Sequence, residues 1–183
     1  MKNIIIAMLY FSMFLVTACS TKSPNLKNLD NGVVAIPVRA TNTSRLDFGR
    51  YYKLYPHSDP NLIIQIHPQE GDYFIFSKEM PAGKYNFNRI KIILHGQVAR
   101  SKKHLSIQAL KGGIPFEIKP GSLTIAGEKL YIKQYDYSGD PSYGRGVDMD
   151  WRFETITDTE MQLLIEKIKK VDGVEHFKIT NEM

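Results

Sequence analysis

The chain offers few residues that could carry out chemistry, and the most telling is its one thiol. Cys19 is the single cysteine of 183 residues, so no intrachain disulfide is possible. It ends the run Leu15-Val16-Thr17-Ala18-Cys19. The five histidines, His57, His67, His95, His104 and His176, show no i, i+2 or i, i+4 spacing of the kind that suggests a shared metal. Asp136-x-Ser138-x-Asp140 begins like a calcium loop. Pro141 then stands where that loop needs its glycine and Val147 where it needs its glutamate. A looser oxygen site with Asp148 or Asp150 is the only remaining form of that idea. No Gly-x-Ser-x-Gly elbow is present, and Gly112-Gly113 and Gly144-x-Gly146 do not build a phosphate loop. The expectation is therefore no metal, no cofactor and no enzyme. The alternative is a hydrolase whose carboxylates meet only in the fold.

Aromatic residues are the better candidates for recognition. Tyr135, Tyr137, Tyr143 and Trp151, with Asp140 and Arg145, surround the stretch 136–150 and form the first candidate binding site. Arg50, Tyr51, Tyr52, Lys53 and Tyr55 form a second. Strand packing would account for the same rings, since aromatics favour strands.

The beginning of the chain has the three zones of a secretory signal. Lys2 gives a positive start, Ile4–Val16 is apolar, and Thr17-Ala18 are small. The apolar run is well short of the roughly 20 residues a spanning helix needs. Val16-Thr17-Ala18-Cys19 resembles the lipobox of bacterial lipoproteins. That resemblance implies a signal peptide over 1–18, diacylglycerol on the Cys19 thiol, and cleavage before an acylated Cys19. Two or three acyl chains would anchor the protein to a membrane, where one chain holds only marginally. Ser20, rather than an Asp, then implies the outer membrane, facing the periplasm, in a two-membrane cell. The polar segment 19–31 reads as a flexible tether, and 32–183 as one domain.

Without Lys2, 23 of the 24 basic residues remain against 19 acidic ones, a net charge of +4. Arg100, Lys102 and Lys103, and Lys167, Lys169 and Lys170, are modest clusters. An exported, weakly basic chain is not expected to bind nucleic acid. A pull toward anionic lipid or glycan surfaces is compatible with it.

The elements that must position these residues are mostly short strands parted by Gly and Pro. Strands are expected near 33–38, 48–54, 62–66, 73–76, 84–87, 90–94, 105–110, 115–118 and 123–135, with Pro37 marking an edge strand or bulge. Thr157-x-x-Glu160 is a capping box. Met161, Leu164, Ile165, Ile168 and Val171 repeat at helical spacing, so a helix is expected over about 158–171 with Gly173 as its cap. A final strand is expected within 174–179. The class is mainly β, an antiparallel β-sandwich with one C-terminal helix.

Tyr73-Phe74-Ile75-Phe76, then Met80-Pro81-Ala82-Gly83-Lys84-Tyr85-Asn86-Phe87, resembles the strand, Pro-x-Gly-x-Tyr turn and strand of transthyretin-like (prealbumin-like) modules. Phe116–Gly121 leading to Leu130-Tyr131-Ile132 resembles their later Pro-Gly and Tyr-strand segment. The resemblance implies a fold and a binding or structural role in the envelope, and it brings no catalytic residues. The expected function is that of an envelope lipoprotein holding a non-enzymatic module for a protein or glycan partner.

Overall fold

A computed structural model describes residues 24–56, 59, 61–94, 107–136 and 147–181. Cys19, the signal segment, His57, His95, His104 and the basic run at 100–103 lie outside them. The fold is mainly β, with two sheets and one helix among the described residues. The larger sheet holds β1 (Asn31–Asn42), β4 (Gly71–Phe76), β5 (Met80–Pro81), β8 (Ser122–Ile125), β9 (Glu128–Asp136), β10 (Val147–Thr155) and β11 (Lys178–Asn181). The smaller runs β3 (Ile64–Ile66), β2 (Arg50–Tyr55), β6 (Gly83–Leu94), β7 (Ile107–Ile118) in spatial order. Helix α1 spans Asp158–Ile168.

Strand alternation assigns the cores. In β1, Val34, Ile36, Val38 and Ala40 face the smaller sheet and meet Tyr52, Leu54, Ile64, Ile66, Ile90 and Phe116 in one cluster. Ala35, Phe74, Leu123 and Ile125 face the other way and meet Met161, Leu164 and Ile168 of α1 in a second cluster. The larger sheet is thus packed on both faces at this end, and all four residues of β8 are buried.

The larger sheet departs from an antiparallel plan. β1 pairs β8 and β9 in parallel, and β11 pairs β8 in parallel, while the smaller sheet is antiparallel throughout. β8 and β9 are one chain run laid along a single edge of β1. Its register slips by two between Ala35↔Ile125 and Val38↔Leu130. Pro37 sits beside that slip. The carbonyl of Ala35 accepts from the Ala126 N–H at 2.9 Å, and the carbonyl of Val34 on the other edge accepts from Ser77. Pro37 shares the Ala35 side, so its missing N–H falls where the partner strand bulges away. Proline here marks a bulge in a central strand, not an edge.

A second irregularity joins two expected strands into one. β6 and β7 lose register between Phe87 and Arg89, and Leu110–Gly113 bulge from β7. Gly112 (φ +81) and Gly113 (φ +70) take backbone conformations that side chains disfavour, and Asn86 Nδ2 donates to the Gly112 carbonyl at 3.2 Å. The break resets alternation: Phe87 and Ile90 both point inward and are fully buried.

α1 is shorter than the expected 158–171. Its N-cap is Thr157, whose Oγ1 accepts from the Glu160 N–H at 3.3 Å. The carboxylate of Glu160 bonds Lys129 in preference to returning to the cap, so only half the capping box forms. Lys169 caps the C-terminus, and Gly173 (φ +83) lies in a later turn. Residues 24–30, read from sequence as tether, touch the domain at a few points and are otherwise mostly exposed. Pro24 is buried, and the N–H groups of Lys27 and Asn28 donate to Glu79 at 2.9 and 3.2 Å. Those two bonds hold the Glu79 carboxyl below its usual range. Among the described residues no helix is long and apolar enough to cross a membrane.

Candidate functional site

α1 covers only one end of the outer face of the larger sheet. On the uncovered part, register alone sets four side chains in line across four strands. Asp72 of β4 is opposite Arg39 of β1, Arg39 is opposite Tyr131 of β9, and Tyr131 is opposite Arg152 of β10. All four belong to the outward set of their strands.

Arg39 grips Asp72 with a two-pronged bond, Nε to Oδ1 at 2.6 Å and Nη2 to Oδ2 at 2.9 Å. The guanidinium carbons of Arg39 and Arg152 lie 5.7 and 5.0 Å from the centre of the Tyr131 ring. The Lys129 ammonium is 5.8 Å from it. One phenol therefore collects three cations by ring attraction. Each cation also has a carboxylate: Asp72 for Arg39, Glu160 for Lys129 and Glu154 for Arg152. Further along β9 and β10, Lys133 faces Asp150 and Tyr135 faces Asp148.

Between this row and α1 lies a groove of about 460 Å³. Phe74 and Leu164 give it an apolar floor, and Arg39, Asp72, Glu160 and Lys167 line its walls. Leu163 stands at its rim, 60% exposed. The hydrogen bonds from Arg39 hold the Asp72 carboxyl below the usual carboxylate range against the opposing effect of burial, and Lys167 and Lys129 help. Asp72 in turn raises Arg39. Burial pushes the Tyr73 phenol, also lining the groove, up to about 12. Chemically the arrangement suits recognition: alternating fixed charges beside an apolar floor can trade internal ion pairs for a ligand's charges. Among the described residues no serine or threonine hydroxyl bonds a histidine, and no cluster of three or more His, Cys, Asp or Glu gathers in metal-binding geometry.

Two of the six residues of the first sequence candidate, Tyr135 and Trp151, are among the described residues. Tyr135 points outward, with Lys133 Nζ 5.9 Å from its ring centre. Trp151 points inward, packs on the core between the sheets and meets Phe153 edge-on at 6.3 Å. These two rings are on opposite faces of the β9–β10 pair and share no surface. Tyr137, Asp140, Tyr143 and Arg145 lie outside the described residues. In the second candidate, Tyr52 is fully buried and its hydroxyl reaches Met149 Sδ at 3.9 Å. Tyr51 points outward and stacks on His67 at 5.0 Å. Two carboxylates of the calcium-loop idea, Asp136 and Asp148, have backbone partners. Asp136 accepts from the Arg45 N–H at 3.3 Å, and Asp148 accepts from the Met149 N–H at 2.8 Å.

Sequence reading missed Arg39, Asp72, Tyr131 and Arg152 as a group, since strand order alone brings them together, and it missed β10, which carries Arg152. The signal was present: Val147, Met149, Trp151 and Phe153 alternate strictly with Asp148, Asp150, Arg152 and Glu154. Treating 136–150 as a loop hid that period. Comparison with known proteins gives no further guide, since no family model, no curated protein and no solved structure matches this chain.

Proposed function

We propose that this chain is a lipid-anchored envelope lipoprotein whose domain is a non-enzymatic binding module for a protein or glycan partner. The Cys19 lipobox supports the anchor, and Ser20 supports the outer membrane, facing the periplasm. The observation that carries the binding role is the Tyr131 ring between the guanidiniums of Arg39 and Arg152, beside the groove under α1. Rings and arginines of this kind anchor partners at binding surfaces. Tyr135 extends the same outward surface.

The transthyretin-like reading of the fold is part of the proposal. Its support is the Pro81-Ala82-Gly83-Lys84-Tyr85 turn, where the Tyr85 hydroxyl donates to the Pro81 carbonyl at 2.8 Å.

Two measurements test the proposal. Cys19→Ser should abolish lipid attachment and precursor processing, and unchanged labelling and processing refute the anchor. A photo-crosslinker at Leu163 in intact cells should give adducts that Tyr131→Ala with Arg152→Ala removes. Adducts unaffected by that double variant refute the groove as the binding seat.

A further inference from the structure

The outer face of the smaller sheet is built on a different electrostatic plan. On the larger sheet each cation around Tyr131 has a carboxylate. Here Lys53 of β2 is directly opposite Lys91 of β6, and Arg89 lies one outward position along from Lys91. Like charges directly opposed across strands cost stability. Among the described residues, no acidic side chain forms an ion pair with Lys53, Arg89 or Lys91. The acid that shares this face, Glu117, sits near its far end, opposite Lys84. Tyr51 and Tyr55 flank Lys53, and Ile63 beside β3 is 41% exposed. Cations with tyrosines and an exposed aliphatic side chain make an interfacial surface.

The described chain begins at the β3 edge of this sheet, between it and the segment Phe76–Glu79. Pro24 is buried and shares a groove of about 480 Å³ with Ile63 and Gln65 of the β3 edge. Five residues of extended chain reach at most about 18 Å, so a lipid carried at position 19 would have to lie within that reach of Pro24.

We infer that the outer face of the smaller sheet lies against an anionic lipid surface, with headgroup phosphates supplying the counter-charge that Lys53, Arg89 and Lys91 lack. This rests on the lipid-anchor reading for its orientation, and its test does not. Residues 19–183 with Cys19→Ser keep every residue of both cores and carry no lipid. They should bind vesicles of phosphatidylcholine doped with phosphatidylglycerol and not vesicles of phosphatidylcholine alone. At about 1 kcal/mol per cation, Lys53→Gln with Lys91→Gln should weaken that binding about 30-fold. The same variant should melt no lower than the parent, since it relieves a like-charge contact. Lys169→Gln with Lys170→Gln, the same charge change at the end of α1, should leave binding intact. Equal losses from both double variants would reduce the effect to net charge and overturn the inference. So would binding to a soluble anionic polysaccharide without binding to the doped vesicles, which assigns the face to a glycan. A failed acylation assay at Cys19 beside a positive vesicle result would refute the anchor alone.

Discussion

Lys129 of β9 and Glu160 of α1 form an ion pair that ties the helix to the sheet, with the lysine side chain 6% and the glutamate 34% exposed. A buried ammonium without its counter-ion is costly, while an apolar replacement of the pair often is not. Glu160→Gln should therefore lose about 2 kcal/mol, reduced from the fully buried case by the glutamate's exposure. Lys129→Met should stay within about 1 kcal/mol of the parent. Urea unfolding monitored by circular dichroism reads both, and a harmless Glu160→Gln would refute the account.

The bond from Tyr85 to the Pro81 carbonyl closes the turn into β6. Tyr85→Phe removes that bond and keeps the ring, which stacks on Phe116 at 5.6 Å. A loss of about 1 kcal/mol is expected, the ordinary net value of one hydrogen bond. Equilibrium denaturation of the two proteins decides it; no difference would mean that the ring alone holds the turn.

Gly32 is a packing requirement. A Cβ there would lie 2.7 Å from the main-chain oxygens of both Lys119 and Ser122. Those atoms belong to the turn before β8 and to its first residue, and cannot swing aside as a side chain would. Gly32→Ala should cost about 2–3 kcal/mol, the upper part of the overpacking range. A thermal melt indistinguishable from the parent's would show that the turn yields.

Asp72 sets a pH dependence. Its folded pKa is depressed, chiefly by the bonds from Arg39. A depressed carboxylate stabilises the fold above its unfolded pKa, near ~4, and that contribution disappears as pH falls through the lower folded value. The stability gap between the parent and Asp72→Asn should be widest near neutrality and close below roughly pH 4. Melting temperatures across an acid titration test this. A gap that stays constant with pH would show that the carboxylate's charge is immaterial.

Local patterns were legible in the sequence where one physical rule governed a segment. The apolar Val33–Val38 run gave β1, and the Met161–Leu164–Ile168 stripe gave the buried face of α1. The reading failed where two rules competed. Val147–Thr155 has perfect alternation, but its tyrosine and carboxylate neighbours suggested a loop. Pro37 pointed to an edge or a bulge without deciding between them, and no local signal could say that the slip lay in a parallel partner ninety positions away. Glu160 matched its capping box, and a buried lysine on another strand took its carboxylate. The Tyr131 row was illegible for the same reason: four residues from β1, β4, β9 and β10 meet only through strand order, which composition does not encode.

The place of β1 in the larger sheet has a consequence for how the chain is made. Val33 pairs with Leu123, and Asn42 with Gln134. As the polypeptide emerges from its N-terminus, β4 and β5 can cover one edge of β1 early. The other edge has no partner until Ser122–Asp136 has been synthesised. For that interval a strand of nearly unbroken apolar character waits with its donors and acceptors bare, the condition under which strands pair with the wrong chain. Contacts so distant in sequence are expected to close slowly.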